Sequence, residues 1–206
     1  MRLIALSLAL ALPAVAGFNE TLYRSLSEKQ ARNLINSARV SGRVGGAFDL
    51  RITGTDRSFN YKLRATWITQ DVVSALARVL VAAKGVPEEK ALSTLRALDG
   101  DWYYFLLELD PREGSGVIPN DWVARFGPQA QPSRAIIGEI LPETETWNLI
   151  AGAFPRDYAY DVFLVRVAKK TGDHRTLETN DTKAELTVGI YNKVGHVHWL
   201  VPEDRR

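Results

Sequence analysis

The sequence predicts an α+β fold: a mostly antiparallel sheet with an N-terminal helix and a helical hairpin, at about residues 69–98, packed on it. Apolar residues recur at helical spacing in some segments and alternate strictly in others, which indicates amphipathic helices and half-buried strands. The strands do not alternate regularly with helices, so we expect antiparallel pairing rather than a parallel sheet.

The N-terminus has the features of a secretory leader. Arg2 precedes an apolar run that ends at Leu12, and Ala14 and Ala16 are small residues of the kind that a signal peptidase accepts. The run is shorter than the roughly 20 apolar residues that a membrane-spanning helix needs. We expect residues 1–16 to be removed and residues 17–206 to form a single α+β domain without a transmembrane segment.

Composition narrows the possible classes of protein. The chain has 206 residues, no cysteine and a formal net charge of +2. The lack of cysteine excludes disulfides, thiolate metal sites and a cysteine nucleophile. A secreted chain of this size without disulfides is typical of the bacterial periplasm, so we expect a periplasmic or extracellular location. Lysine and arginine do not form runs, and we therefore predict no nucleic-acid partner.

Helix boundaries are marked by capping residues. Ser27 and Gln30 form a capping-box pattern at the start of the N-terminal helix. Thr69 can cap a second helix, which Gly85 would end, and Pro87 is typical of the first position of a third. The second and third helices form the predicted helical hairpin.

Strands are predicted wherever apolar and polar residues alternate, and one segment is apolar on both faces. Trp102 to Leu109 is that segment, which indicates a central strand. The connection from Asp110 to Pro132 is predicted as a long ordered loop. The remaining predicted elements are a hairpin of 48–53 and 59–67, strands at 135–141 and 159–168, a short helix at 143–153, and a closing hairpin of 185–191 and 196–201.

Carboxylates around the end of the central strand are the candidate catalytic residues. Glu108 and Asp110 lie on one face of that strand, and Asp121 follows in the predicted loop. Paired carboxylates are what a glycosidase uses as its acid and base. The alternative is that Glu108 is simply ion-paired with Arg64 or Lys62 at the margin of the sheet.

The predicted loop also supplies candidate binding residues, Trp122 and Arg112. A long loop held beside the end of a buried strand is a common place for functional groups. The alternative is that Trp122 covers the end of the sheet and has no contact with a ligand.

Two histidines are the only metal-ligand pattern in the sequence. His196 and His198 share one face of a strand, about 7 Å apart at the backbone, so both could reach one ion. The remaining histidine, His174, lies in the loop before the first strand of the closing hairpin. We therefore predict no metal site and no cofactor, two exposed histidines, a buried Trp199, and a turn that places Tyr191 opposite His196.

These observations favour a non-enzymatic extracytoplasmic protein that binds a ligand or supports the cell envelope. The expected partner is an envelope protein or a saccharide. The alternative is a secreted hydrolase that acts on saccharide through the carboxylates from Glu108 to Asp121. Phosphate-binding glycine motifs are missing from the sequence, which gives a nucleotide site no support.

Overall fold

The computed structural model describes residues 18–45, 60–98, 100–111, 118–155 and 157–201. The predicted leader, the predicted strand at 48–53 and the candidate Arg112 lie outside these residues.

The α-helices are α1 (Glu20–Ser25), α2 (Glu28–Ala38), α3 (Gln70–Lys84), α4 (Glu88–Arg96) and α5 (Glu145–Ala153). The strands are β1 (Arg39–Val44), β2 (Tyr61–Trp67), β3 (Trp102–Asp110), β4 (Val123–Pro128), β5 (Ile136–Ile137), β6 (Glu139–Ile140), β7 (Asp161–Ala168), β8 (Lys170–Thr171), β9 (His174–Arg175), β10 (Lys183–Ile190) and β11 (Lys193–Leu200).

Nine strands form one antiparallel sheet in the order β5-β4-β10-β11-β1-β2-β3-β7-β6. β5 and β6 are neighbours in the chain, separated only by Gly138, yet they occupy opposite ends of this order. The segment 136–140 therefore pairs with β4 on one side and with β7 on the other, and it nearly closes the sheet into a barrel.

The predicted α+β fold class is wrong. The protein is a sheet-dominated, barrel-like fold: of the residues that the structure describes, about 37% lie in strands and about 33% in helices, all of them short. Alternation in a sequence shows which face of a strand is buried, but it does not show that the two edges of a sheet meet. Here the closing contacts come from two strands of only two residues each, which are too short to produce a pattern.

The inward face of the barrel is filled by apolar side chains, many of them aromatic. Trp67 from β2 is 6.1 Å from Phe105 of β3 and 5.2 Å from Phe126 of β4, measured between ring centroids. Trp199 from β11 contacts the same group, 5.8 Å from Phe105. Rings from four strands therefore interlock across the interior.

The helices form a second apolar core on the outside of the barrel. They cover the outward face of β3 and β7, where Tyr104, Leu106 and Leu164 are buried against them. α3 is central to this layer, and its Val72, Leu76, Val79 and Leu80 belong to the same core. This second core explains why β3 is apolar on both faces, as the sequence analysis predicted.

The starts of α2 and α3 follow their predicted caps, whereas Pro87, predicted at the first position of α4, is its N-cap residue and the helix begins at Glu88. The Ser27 hydroxyl oxygen accepts a hydrogen bond from the Gln30 backbone amide, and the Gln30 side-chain oxygen accepts one from the Ser27 backbone amide, which completes the capping box of α2. Thr69 caps α3, and Gly85 ends it in the left-handed conformation with φ of 65°. These local signals are confirmed.

Two strands were not predicted, and one predicted turn lies at a different place. β1 begins immediately after α2 and lies in the middle of the sheet, although no strand was predicted there. β4 lies within the segment predicted as a loop. The closing hairpin turns at Tyr191 and Asn192, with Ile190 paired to Lys193, so His196 lies opposite Thr187 and not Tyr191. The partner of His196 thus differs from the predicted one by four positions. Side chains alternate between the two faces of a strand, so a shift by an even number leaves each residue on the face that was predicted for it.

No helix within the described part of the chain is both long enough and apolar enough to cross a membrane.

Candidate functional site

The outward face of β1, β2, β3 and β11 carries charged and polar side chains, some exposed and others, such as Thr66, Glu108 and Asp110, buried. Backbone pairing places Ser41 beside Arg64, and Arg64 beside Glu108. We call this surface the outer polar face, and its members are Arg39, Ser41, Arg43, Lys62, Arg64, Thr66, Glu108, Asp110, His196 and His198.

Glu108 is the central carboxylate of this face. Its side chain is only 3% exposed, and Arg39 Nε lies 3.0 Å from one carboxylate oxygen. Arg64 Nη1 lies 4.0 Å from the other oxygen. Burial raises the pKa of Glu108, and the two guanidinium groups oppose that shift. The predicted alternative of an ion pair with Arg64 is thus present, but the closer cation is Arg39.

Asp110 lies on the same face and is fully buried. Lys62 on the neighbouring strand approaches its carboxylate to 3.9 Å. Arg64 also binds Asp157 at 3.1 Å, and its guanidinium stacks on the ring of Tyr160 at 4.0 Å. The acidic side chains are therefore interleaved with cations, and Arg64 joins two of them.

The other sequence-predicted carboxylate, Asp121, does not join this group. It is exposed in the turn before β4, whereas Glu108 and Asp110 are buried on the outer face of β3. The structure therefore brings together two of the three candidate acids.

Trp122 lies inside the barrel. It is 4% exposed, and its ring packs edge-on against Phe163 of β7 at 5.0 Å. This contact bridges the two sides of the seam between β4 and β7. The placement favours the alternative in which Trp122 covers an end of the sheet.

The histidines lie at the far side of the outer polar face. His196 and His198 are 51% and 43% exposed, and both Nδ1 atoms approach one oxygen of Glu185, at 3.0 Å and 3.4 Å. Trp199 points inward and is half-buried. His174 lies in the separate β8–β9 hairpin, and within the described residues no group of three His, Asp or Glu side chains is arranged to hold a metal ion.

Sequence reasoning missed Arg39 and Thr66 as members of the site. The segment Arg39–Val44 has part of the alternating pattern of a half-buried strand, because an arginine is followed by a valine at each of its ends. Ser41 and Gly42 interrupt this pattern. Glycine weakens a strand pattern, and here Gly42 allows close approach of β11, since a Cβ at this position would lie 2.8 Å from the His196 carbonyl oxygen.

No protein-family model, curated protein or solved structure matches this chain significantly.

Proposed function

We propose that this chain is a non-enzymatic, extracytoplasmic binding protein that holds its ligand on the outer polar face. The observation that carries this proposal is the contrast between the two sides of the sheet. The interior is occupied by interlocking aromatic rings, whereas the outer face presents charged side chains fixed by ion pairs on three adjacent strands. Groups fixed before the ligand arrives cost less entropy on binding.

The proposal is tested with a matched pair of variants. Ser41→Glu places a new anion in the centre of the face, and Ser93→Glu places the same side chain on α4, where Ser93 is also exposed. A panel of saccharides, peptides and polyanions is screened by thermal shift, because a bound ligand raises the melting temperature of the folded protein.

We expect at least one compound to stabilise the wild type and Ser93→Glu but not Ser41→Glu, and to be recovered chemically unchanged. Equal stabilisation of both variants, or no stabilisation by any compound, would contradict the proposal.

A hydrolase that acts on saccharide remains the second candidate. The observation in its favour is that Glu108 is buried, has a raised pKa and lies on the same face as a second buried carboxylate, Asp110. Release of reducing ends from a polysaccharide by the wild type, abolished in Glu108→Gln, would establish it in place of simple binding.

The location of the protein is proposed from its leader. Export with cleavage after Ala16 would give a mature chain that begins at Gly17. Intact mass of protein from the export fraction measures this directly, and a chain that keeps residues 1–16 there would contradict the proposal.

A further inference from the structure

An exposed turn before β10 carries a motif that the proposed binding function does not use. The turn runs from Glu178 to Asp181, and the Asp181 amide donates a hydrogen bond to the Glu178 carbonyl at 3.1 Å. Asn180 is the third residue of this turn, and with Asp181 and Thr182 it has the form Asn-x-Ser/Thr. This form is the acceptor of N-linked glycans, and it belongs on the surface of an exported protein.

The residue two positions before the asparagine makes the motif more specific. Bacterial enzymes that glycosylate exported proteins on asparagine require an acid at that position in addition to Asn-x-Ser/Thr, and Glu178 stands there. The other Asn-x-Thr sequence of the chain begins at Asn19, and it has Gly17 in place of the acid. The sequence around Asn180 is therefore the one that has every part of the bacterial acceptor.

The groups that such an enzyme recognises can be reached from solvent. Asn180 and Thr182 are both exposed. The Glu178 side chain is 51% exposed, although its carboxylate lies 3.2 Å from Arg134. The chain needs no cleft at this place, because the enzyme supplies the cleft and the acceptor only has to protrude into it.

The turn is fixed at its two ends and not at its acceptor. Asp181 is buried, and its Oδ2 accepts a hydrogen bond from the Glu178 amide at 2.7 Å. Arg134 Nη1 donates to the same oxygen at 3.4 Å. Asn180 takes no part in these contacts, so a glycan on its side chain extends into solvent without displacing a residue of the core.

Asn19 differs from Asn180 because its side chain is part of the start of α1. The Asn19 side-chain oxygen accepts a hydrogen bond from the Leu22 amide at 2.9 Å, and the Asn19 backbone amide donates to Ser74 Oγ at 3.2 Å. This cap holds the side-chain amide of Asn19 in one orientation. Asn19 is therefore an internal control for Asn180.

We propose that Asn180 is a site of N-linked glycosylation in the exported chain; the proposal rests on export through the leader. Asn180 Nδ2 forms a bond to the anomeric carbon of an oligosaccharide that is carried on a polyprenyl diphosphate. The bond between that carbon and the diphosphate oxygen breaks, and the diphosphate leaves with the electron pair. Nδ2 loses one proton to a carboxylate of the enzyme, and nothing is oxidised or reduced.

The test is co-expression of the full chain, leader included, with a bacterial oligosaccharyltransferase and its polyprenyl-linked oligosaccharide. Protein from the export fraction is analysed by intact mass and by mass spectrometry of tryptic peptides. Asn19 and Asn180 fall in different peptides, residues 17–24 and 176–183. We expect a single glycan per chain, on the peptide that contains Asn180.

Variants separate the acceptor from its surroundings. Asn180→Gln should abolish the glycan and keep the melting temperature of the unglycosylated wild type, because Asn180 lies outside the contacts that fix the turn. Glu178→Gln should lower the glycan occupancy about tenfold, since it removes a charge-assisted contact with the enzyme, whereas Glu178→Asp should keep it. Asn19→Gln is the matched control and should leave the occupancy unchanged.

The outcomes decide separately on export and on the site. A chain that begins at Gly17 and has no glycan at Asn180 overturns the site and leaves export standing. A chain that keeps residues 1–16 contradicts export, and the site is then tested with an established signal peptide in place of the leader, where a bare Asn180 overturns it as well. Equal occupancy of Asn19 and Asn180, or unchanged occupancy in Glu178→Gln, also overturns the inference, because neither the acid nor the turn would then select Asn180.

Discussion

Closure of the barrel depends on a glycine at the seam, and its replacement gives the sharpest prediction for the fold. Gly138 separates β5 from β6, and its amide donates to the Ala124 carbonyl of β4. A Cβ added here would lie 2.6 Å from Val165 Cγ1 and 3.1 Å from Val167 Cγ2, both on β7. A contact under 3.0 Å forces either the valine or the closing segment to move.

We expect Gly138→Ala to lower the free energy of unfolding by about 1–3 kcal/mol, the usual cost of forcing extra volume into a packed site. In a chain of this size each kcal/mol corresponds to roughly 2–4 °C in melting temperature. Thermal unfolding followed by circular dichroism measures the change.

Gly152→Ala is the control, with the opposite expected sign. Gly152 lies in α5 and has nothing within 4 Å of an added Cβ. Alanine in a helix is favoured over glycine by about 0.8–1.0 kcal/mol, so this variant should be more stable than the wild type. If Gly138→Ala proved as stable as Gly152→Ala, the segment 136–140 would not lie in the seam as described.

Three further predictions concern the core and the outer polar face. Trp122→Ala should cost about 3–5 kcal/mol in urea unfolding, because the ring fills the seam against Phe163; a loss below about 1 kcal/mol would mean that the ring is not a structural plug. Burial raises the pKa of Glu108, so its contribution to stability is greatest below the unfolded pKa and is lost as pH rises through the folded value. The wild type should therefore lose stability relative to Glu108→Gln between acid and neutral pH, and a relative gain would show that the ion pairs with Arg39 and Arg64 outweigh burial. His196→Ala with His198→Ala should change the free energy of unfolding by less than about 1 kcal/mol, since polar contacts of side chains that are about half-exposed contribute little. A larger loss in chemical denaturation would assign the Glu185 contacts a structural role.

Local signals in the sequence predicted α2 to α5, but not α1, and the inward and outward sides of most strands. Ser27 and Thr69 are caps whose partners lie within three residues, so no distant part of the chain is needed to recognise them. β3 could likewise be recognised from its own residues. A strand that is apolar on both faces has to be covered on both faces, whatever the topology of the sheet.

The sequence did not predict which strands that are distant in the chain pair with each other. β4 was missed because its inward residues, Ala124 and Phe126, stand in a segment rich in glycine and proline, and its strand character comes from pairing with β10 about 60 residues later. β1 was missed because its outward side is polar and its centre is glycine. Once both strands are in the sheet, its edges approach each other and the predicted open sheet becomes a nearly closed barrel.

The candidate site was predicted only in part for the same reason. Glu108 and Asp110 are two residues apart on one strand, so their shared face follows from alternation alone. Arg39 is 69 positions away from Glu108, and only the order β1-β2-β3 brings the two together. The contact between Arg39 and Glu108 therefore exists only in the folded chain.

A high-resolution crystal structure of the full chain tests the closure of the barrel most directly. We predict that residues 136–140 pair with β4 on one side and with β7 on the other, and that the Gly138 amide donates to the Ala124 carbonyl. An open sheet, in which this segment pairs with only one of the two strands, would contradict this account.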